Sequence, residues 1–437
     1  MKKIIYAAFF LNLFIILFFW WQGSGSLFDG QVANSILAFG KLCGLLAVYF
    51  VLLQFVMRGR AVWIEETFGL NNLATAHRLN GYLSLFFILL HPFLITTSYS
   101  MLGRIGFVEQ FFDLILHYPD VFFAYIAVLL FVIIVGFSIY IVRRKVKYEV
   151  WYYVHLLTYL AITLAFFHQI ALGGTLVANK MFLYYWYSLY LFVFGNLFIF
   201  RFLRQGYLLW KYQFRVDSVV KEADNAMSVY ITGNNLSRFK ILPGQFFILR
   251  FLDTKRWWQT HPFSLSFVPK DNLIRVTIKN VGDFTSEIAT LKTGTLILLD
   301  GPLGTFTSKQ ATKDKYLFIA GGVGITPIRA LIEELAPQKK DIVLLYSSKT
   351  QDIIFKKELD GLAKQYRFPI CYVVTEDPSY KGEKGRIDRE KMKRLAPDFL
   401  KRDIYLCGPP PMMDALITQQ QELGVTHASI HYERFAL

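Results

Sequence analysis

Four histidines at two matched spacings are the residues of this chain best placed to do chemistry. His77 and His91 lie fourteen residues apart in HRLNGYLSLFFILLHP, and His155 and His168 lie thirteen apart in HLLTYLAITLAFFH. Imidazole is costly in hydrocarbon unless it faces the protein interior and has a partner there. One such pair is readily explained by ordinary histidines near helix ends; two parallel pairs are better explained by a shared task, that of holding two haems one above the other. At a helical rise of 1.5 Å, the separations climb about 21 Å and about 19.5 Å. That fits two stacked cofactors in a hydrocarbon core of about 30 Å. One further apolar segment, FFAYIAVLLFVIIVGFSIYIV, lies between the pairs. The two histidine helices therefore run in the same direction, which sets His77 level with His155 and His91 level with His168. Fourteen residues return to within roughly 40° of one helix face, whereas thirteen miss it by roughly 140°. Either the second helix is irregular, with a local bulge, or its two ligands approach their haems from different sides.

The elements that position these residues are apolar. Of 437 residues, 54% are hydrophobic and 17% aromatic, rich for a soluble enzyme. The apolarity is concentrated in the first 205. Six stretches have crossing length, at about 4–21, 34–57, 79–101, 121–142, 151–172 and 182–203. Lys2, Lys3, Arg58, Arg60, Arg78, Arg143, Arg144, Lys145, Lys147, Arg201, Arg204 and Lys211 all fall on one side of this pattern. That side is expected to be cytoplasmic, with both termini there. His77 and His155 then serve the inner haem, and His91 and His168 the outer one. His117, in an outer loop, has no partner at helical spacing and reads as solvated. The N-terminal run MKKIIYAAFFLNLFIILFFWW reads as a retained first span, with signal cleavage as the alternative. The net charge of +15 is accounted for by the positive-inside bias, anionic headgroups and a phosphorylated cofactor, and no basic helix or zinc pattern argues for nucleic acid. Cys43, Cys371 and Cys407 form neither a metal motif nor a disulfide framework.

Beyond residue 210 the composition is that of a soluble protein. YQFRVDSVVKEADNAMSVYITG, FFILRF, IRVTIKN and TLILLD alternate as strands of a small antiparallel barrel. From Lys315 strand and helix alternate, as in a doubly wound parallel sheet that binds its ligands at the strand C-termini. Two barrel patches stand out, HPFSLS (261–266) and GDFTSEI (282–288). In the second, the glycine, the amides and the Thr285 hydroxyl are expected to meet a pyrophosphate at a helix N-terminus. GGVGITP (321–327) joins a strand to a helix and suits the approach of backbone to phosphate. Ser347, Ser348 and Lys349 follow the next strand with no carboxylate to claim a ribose hydroxyl. They suit a 2′-phosphate, hence NADPH; a solvated loop is an equally good account of them. CGPPPM (407–412) ends another strand and places Cys407 where a nicotinamide would lie, or simply in the core. Phe435, near the C-terminus, either packs the core or covers a flavin ring.

Together, HPFSLS, GDFT, GGVGITP, CGPPPM and the aromatic C-terminus resemble the ferredoxin–NADP reductase fold. With six spans and two histidine pairs in front, the chain resembles the NADPH oxidase and ferric reductase superfamily over about 4–437. The fourteen-then-thirteen spacing, the short loops and the missing calcium-binding extension make it similar to the prokaryotic NADPH oxidases. The resemblance implies a multidomain membrane protein: a six-helix di-haem bundle (1–205), an FAD-binding β-barrel (210–307) and an α/β NADPH domain (314–437). It implies that His261, Pro262, Phe263 and Ser264 contact the isoalloxazine and ribityl side of FAD, that Gly282, Asp283, Phe284 and Thr285 hold its pyrophosphate, and that Phe435 covers the ring. Gly321, Gly322, Val323, Gly324, Ile325, Thr326 and Pro327, with Ser347, Ser348, Lys349, Cys407, Gly408 and Pro409, would bind NADPH. Ser264, Cys407 and Phe435 are the expected catalytic residues. Animal oxidases carry a second histidine four residues beyond the outer ligand; here that position is Ile95. Lys41 would instead bring positive charge to the outer haem, or else snorkel to the interface. The implied activity is electron transfer from cytosolic NADPH through FAD and two haems to O2, producing superoxide, with no obligatory cytosolic activator, in a bacterial inner membrane. A ferric-chelate reductase, or an electron-supplying subunit for a membrane or periplasmic partner, needs the same wiring.

Overall fold

A computed structural model describes residues 1–143 and 148–434. The chain forms two compact units, residues 1–68 with 72–201, and 69–71 with 202–437.

In the first unit the helices are α1 (Lys2–Ser24), α2 (Val32–Arg58), α3 (Val62–Phe68), α4 (Leu70–Gly103), α5 (Phe107–His117), α6 (Pro119–Arg143), α7 (Tyr148–Leu172), α8 (Gly174–Ala178) and α9 (Lys180–Phe198). Six helical segments carry an 18-residue window of mean hydropathy between 1.4 and 2.8, long enough to cross a bilayer. Large apolar side chains such as Phe86, Phe93, Leu191 and Phe192 face outward, as lipid contact requires. The third spanning helix starts at Leu70, earlier than the hydropathy pattern suggests, so His77 lies inside it. Polar Asn71, Asn72 and Asn80 mask this first part of the helix from an apolarity count. α2 is the most buried of the six, with 39% of its apolar stretch inside the protein against 11–17% for the others. α2 and α4 are tied together along their length: Ser98 Oγ donates to the Ala33 carbonyl, and Asn80 Nδ2 donates to that of Phe50, both at 2.8 Å. Phe50 stacks on Phe87 with ring centres 5.6 Å apart. α7 is α-helical from Tyr148 to Leu172 with no bulge.

In the second unit, α10 (Arg204–Tyr212) precedes strands β1 (Arg215–Ala223), β2 (Ala226–Thr232), β3 (Phe246–Phe251), β4 (His261–Ser264), β5 (Leu273–Lys279) and β6 (Ile297–Leu303). These make two three-stranded antiparallel sheets, β1-β2-β5 and β4-β3-β6. Bridges Arg215–Leu296 and Leu265–Val276 close the two into a barrel. Its interior is filled by Phe214, Phe247, Leu249, Phe251, Val229, Ile231, Ile274 and Val276. Arg204 Nη1 and Gln205 Nε2 of α10 donate to the buried Asp300 carboxylate on β6 at 3.2 and 3.1 Å.

The remaining strands are β7 (Lys315–Gly321), β8 (Asp341–Ser348), β9 (Ile370–Val374), β10 (Glu383–Lys384), β11 (Asp403–Cys407) and β12 (Ile430–Tyr432), with helices α11 (Asp283–Ser286), α12 (Ile325–Leu335), α13 (Lys356–Tyr366), α14 (Arg389–Leu395) and α15 (Pro410–Glu422). The sheet is parallel throughout in the order β10-β9-β8-β7-β11-β12. Strand order reverses between β7 and β11, which opens a crevice at their C-terminal ends, where such sheets bind ligands.

Candidate functional site

The rings of each histidine pair lie beside one another. His77 and His155 have ring centres 6.1 Å apart, and His91 and His168 6.4 Å apart. A metal–imidazole bond of about 2 Å on each side, added to the short distance from ring nitrogen to ring centre, spaces two axial rings about 6 Å apart. Each pair is thus separated as by one iron atom. The buried Nδ1 atoms of His77, His155 and His168 have no hydrogen-bond partner among the described residues. His91 Nδ1 lies 2.8 Å from the Gly40 carbonyl. Because α7 is regular, the thirteen-residue spacing leaves His155 and His168 at different azimuths, and the bulge alternative is not realised. Among the described residues no group of three or more His, Cys, Asp or Glu side chains is arranged to hold a metal, so the pairs stand as pairs.

Three neighbours of the pairs were not linked to them by the sequence. Trp151, one turn before His155, stacks on its ring at 5.2 Å and anchors its own indole N–H on Ser138 Oγ. Arg58, the last residue of α2, acts electrostatically on both His77 and His155, so a cation stands by the inner pair. Gly44 of α2 faces the His91 ring. Lys41 is half-buried, one residue after the carbonyl that His91 meets. His117 is exposed and pairs with Asp113 Oδ1 at 2.8 Å, which accounts for it without a ligand.

In the barrel, the HPFS and GDFT patches come together. The rings of His261 and Phe284 lie 3.9 Å apart, and Phe263 stacks on Phe284 at 6.3 Å. Strand alternation puts His261 and Phe263 on one face of β4 and Pro262 and Ser264 on the other, so these four do not present one surface. The Thr285 hydroxyl is committed to its own turn. It accepts from the amides of Val281 and Gly282 at 2.9 and 3.0 Å and donates to the Gly282 carbonyl. Thr285 thus shapes the loop that opens α11. Arg250 on β3 is a cation with a buried Nε that has no partner among the described residues.

At the sheet, the glycine turn has a second role. A Cβ on Gly324 would lie 2.3 Å from the Cys407 carbonyl oxygen, and one on Gly321 would lie 2.8 Å from Pro409 Cδ. These glycines let the turn after β7 cross the turn after β11 backbone to backbone. Gly322, with φ of +53°, takes a left-handed conformation suited to glycine. Lys279, at the end of β5, brings its ammonium within 3.8 Å of a Cβ position on Gly322. Cys407 is buried at the crevice. Burial, reinforced by the Glu433 carboxylate, pushes its thiol far up, so it is a neutral S–H at physiological pH. Glu433 itself, at the end of β12 and 4% exposed, is a buried acid that the sequence pattern did not mark.

One expectation is corrected. The end of β8 does have a carboxylate beside it: Glu376, arriving after β9, pairs with Lys349 at 3.0 Å. Parallel pairing aligns Ser348 with Val374 and so brings the β9 turn alongside. Both partners are exposed, so the pair is weak and competes only mildly with a phosphate. Phe435 lies outside the described residues.

These features define a membrane-embedded flavin oxidoreductase that uses NAD(P)H. The sequence comparisons agree. Residues 43–166, which include His77, His91 and His155, match the ferric reductase like transmembrane component family. Residues 211–314 match an FAD-binding domain family, and residues 318–417 the oxidoreductase NAD-binding domain family. The chain therefore has the architecture shared by NADPH oxidases and ferric reductases. Its second half is 29% identical over 235 residues to the toluate 1,2-dioxygenase electron transfer component of Pseudomonas putida, covering 52% of this chain and 68% of that protein. It is 27% identical over 239 residues to a flavohemoprotein of Oceanobacillus iheyensis, covering 51% and 58%. Among solved structures, the FAD/NAD-binding domain of nitric oxide dioxygenase from Vibrio cholerae matches with a TM-score of 0.46 and 23% identity, over 51% of this chain and 97% of that one.

Proposed function

We propose that this chain is a transmembrane NADPH oxidase, which moves electrons from NADPH on the cytoplasmic face to O2 on the opposite face and releases superoxide. The observation that carries the reading is the pair of facing imidazoles at two levels of one helical bundle, at 6.1 and 6.4 Å. When bound, FAD accepts a hydride and passes electrons on singly, and two haems carry them across the bilayer. The chain's own residues do the rest. His77 with His155, and His91 with His168, would hold the two irons with one imidazole from each side, and the haems would supply single-electron transfer to O2 without offering it a binding site. Lys41 brings positive charge toward the outer pair, where negative charge develops. Arg58 would bring a cation to the inner pair. The β4 segment from His261 to Ser264 borders the flavin, with His261 and Phe263 on the face toward Phe284; the amides of Asp283, Phe284 and Thr285, in the turn that Gly282 opens, meet its pyrophosphate. The turn from Gly321 to Pro327, with Lys279, meets the NADPH pyrophosphate, and Ser347, Ser348 and Lys349 its 2′-phosphate. Cys407, Gly408 and Pro409 form the far wall, where the protonated thiol lies beside the nicotinamide without competing as a nucleophile. The excess of Lys and Arg at one set of loops supports a cytoplasmic dehydrogenase half.

The test is NADPH consumption in air by detergent-purified protein supplemented with FAD, with superoxide followed by cytochrome c reduction. Dismutase-sensitive turnover without added iron is expected. Slow turnover in air that rises with ferric chelate and ignores dismutase would make the chain a ferric reductase. Turnover that saturates only with a purified protein partner would make it an electron-supplying subunit.

A further inference from the structure

Gly40 and Gly44 lie one turn apart on α2, against the turn of α4 that carries His91. The Gly40 carbonyl lies 2.8 Å from His91 Nδ1. A carbonyl only accepts, so Nδ1 carries the proton and Nε2 keeps the lone pair that an iron needs. Inside a helix this carbonyl already faces the amide of residue 44, and the side chain at that position normally leans back over it. Glycine at 44 uncovers the second lone pair. A Cβ there would fall 2.9 Å from His91 Nδ1 and 3.0 Å from Cε1. Gly40 brings the helices close, since a Cβ on it would lie 2.9 Å from Ile95 Cδ1. The contact is best formed at this position: His155 Nδ1 has no partner among the described residues, and the backbone groups of Gln54 and Asp120 approach His77 and His168 without completing a hydrogen bond to Nδ1.

We propose that Gly40 and Gly44 are positioning residues for the outer haem, and that they set its potential. The bond from Nδ1–H to the Gly40 carbonyl makes His91 a more basic donor than the other three ligands, and a more basic axial imidazole stabilises ferric iron. The outer haem is thereby held at a lower potential than the same ligand pair would otherwise give it. This inference rests on the two-haem reading above.

The experiment is a spectroelectrochemical titration of full-length, haem-loaded protein in detergent, with low-spin ferric signals followed by electron paramagnetic resonance. In Gly44→Ala, one of the two midpoint potentials should move upward and one ferric signal should shift, with the other haem unchanged. Gly81→Ala is the control at the inner level, where a Cβ would lie 3.1 Å from Gln54 Nε2; it should leave the outer haem in place. If Gly44→Ala does not hold two haems, Gly40→Ala serves. Its Cβ meets the flexible end of Ile95 at 2.9 Å and the Ile95 backbone nitrogen at 3.3 Å, and it should give a smaller shift of the same sign. Both haems retained with both potentials unmoved in Gly44→Ala, or an unmoved outer potential in Gly40→Ala, would overturn the proposal. Failure of the underlying reading looks different: wild-type protein would not bind two low-spin haems, or His91→Ala would retain both.

Discussion

At the scale of single residues, the assignments separate by what each side chain touches. His77→Ala or His168→Ala should each remove one low-spin haem, read from the reduced-minus-oxidised spectrum, and leave NADPH-to-dye electron transfer in the soluble half within about two-fold of wild type. Two haems in either variant would end the ligand assignment. Cys407 makes the opposite kind of prediction. Thiolate, not thiol, reacts with alkylating agents. Burial and the neighbouring Glu433 push this thiol up, so it stays protonated through pH 9. Iodoacetamide at pH 8 should therefore not inactivate the enzyme, and Cys407→Ser should retain measurable hydride transfer. Rapid inactivation that NADPH blocks would show a thiolate at the nicotinamide site. At the end of β8, Lys349→Ala should raise KM for NADPH several-fold and leave KM for NADH unchanged. Glu376→Gln, which removes the competing carboxylate, should lower KM for NADPH.

At the scale of elements, the glycine turn and β11 behave as one piece. Gly324→Ala puts a Cβ 2.3 Å from the Cys407 carbonyl oxygen, which the backbone relieves only by separating β7 from β11. A cost of about 1–3 kcal/mol is expected, as for other overpacked sites, measurable as a lower melting temperature together with a raised KM for NADPH. The same sheet has a pH-dependent latch. Asp403, fully buried at the start of β11, accepts from the amides of Thr312 and Lys313 at 2.7 and 2.6 Å and contacts His431 Nε2 at 3.1 Å. Burial holds the His431 imidazole below its ordinary range, and the Asp403 carboxylate offsets this only in part. The folded state thus binds fewer protons than the unfolded chain. Stability is present above the unfolded value of about 6.5 and is lost as pH falls from there toward the folded pKa. His431→Gln should flatten the dependence of melting temperature on pH below about 6.5.

The sequence made much of this legible, for physical reasons that differ by element. Hydropathy showed six spans because the bilayer demands long apolar runs, and the histidine spacing showed the pairing because helical rise is fixed. The early start of α4 was hidden by its asparagines. The strands of the barrel and of the parallel sheet were plain in FFILRF, DIVLLYSS and IYLC because buried strands are short apolar runs bounded by turns. Glu433, Lys279 and Trp151 were not legible, since each gains its role from a residue distant in sequence or from a ring brought over it by packing. Glu376 was missed for the same reason: it reaches Lys349 through parallel strand pairing, and the run SSKT contains no hint of it. The two roles of the GGVG turn show the limit of motif reading. Phosphate approach and backbone crossing ask for the same glycine, and only the position of Cys407 separates them.

For the whole molecule, the decisive property is that the proposed reaction moves charge. An electron that enters from NADPH on one face and leaves on O2 at the other carries negative charge across the bilayer, and each elementary charge costs about 2.3 kcal/mol per 100 mV of opposing potential. Turnover by protein sealed in proton-tight liposomes should therefore slow within seconds as potential builds. It should recover several-fold on addition of valinomycin with potassium, or of a protonophore. Cytochrome c trapped inside should be reduced by NADPH added outside, in a manner sensitive to trapped dismutase, and His168→Ala should abolish that signal while external dye reduction continues. If valinomycin has no effect and trapped cytochrome c stays oxidised while NADPH is consumed, electrons leave on the side where they enter. The two histidine pairs would then serve some purpose other than carrying electrons across the membrane.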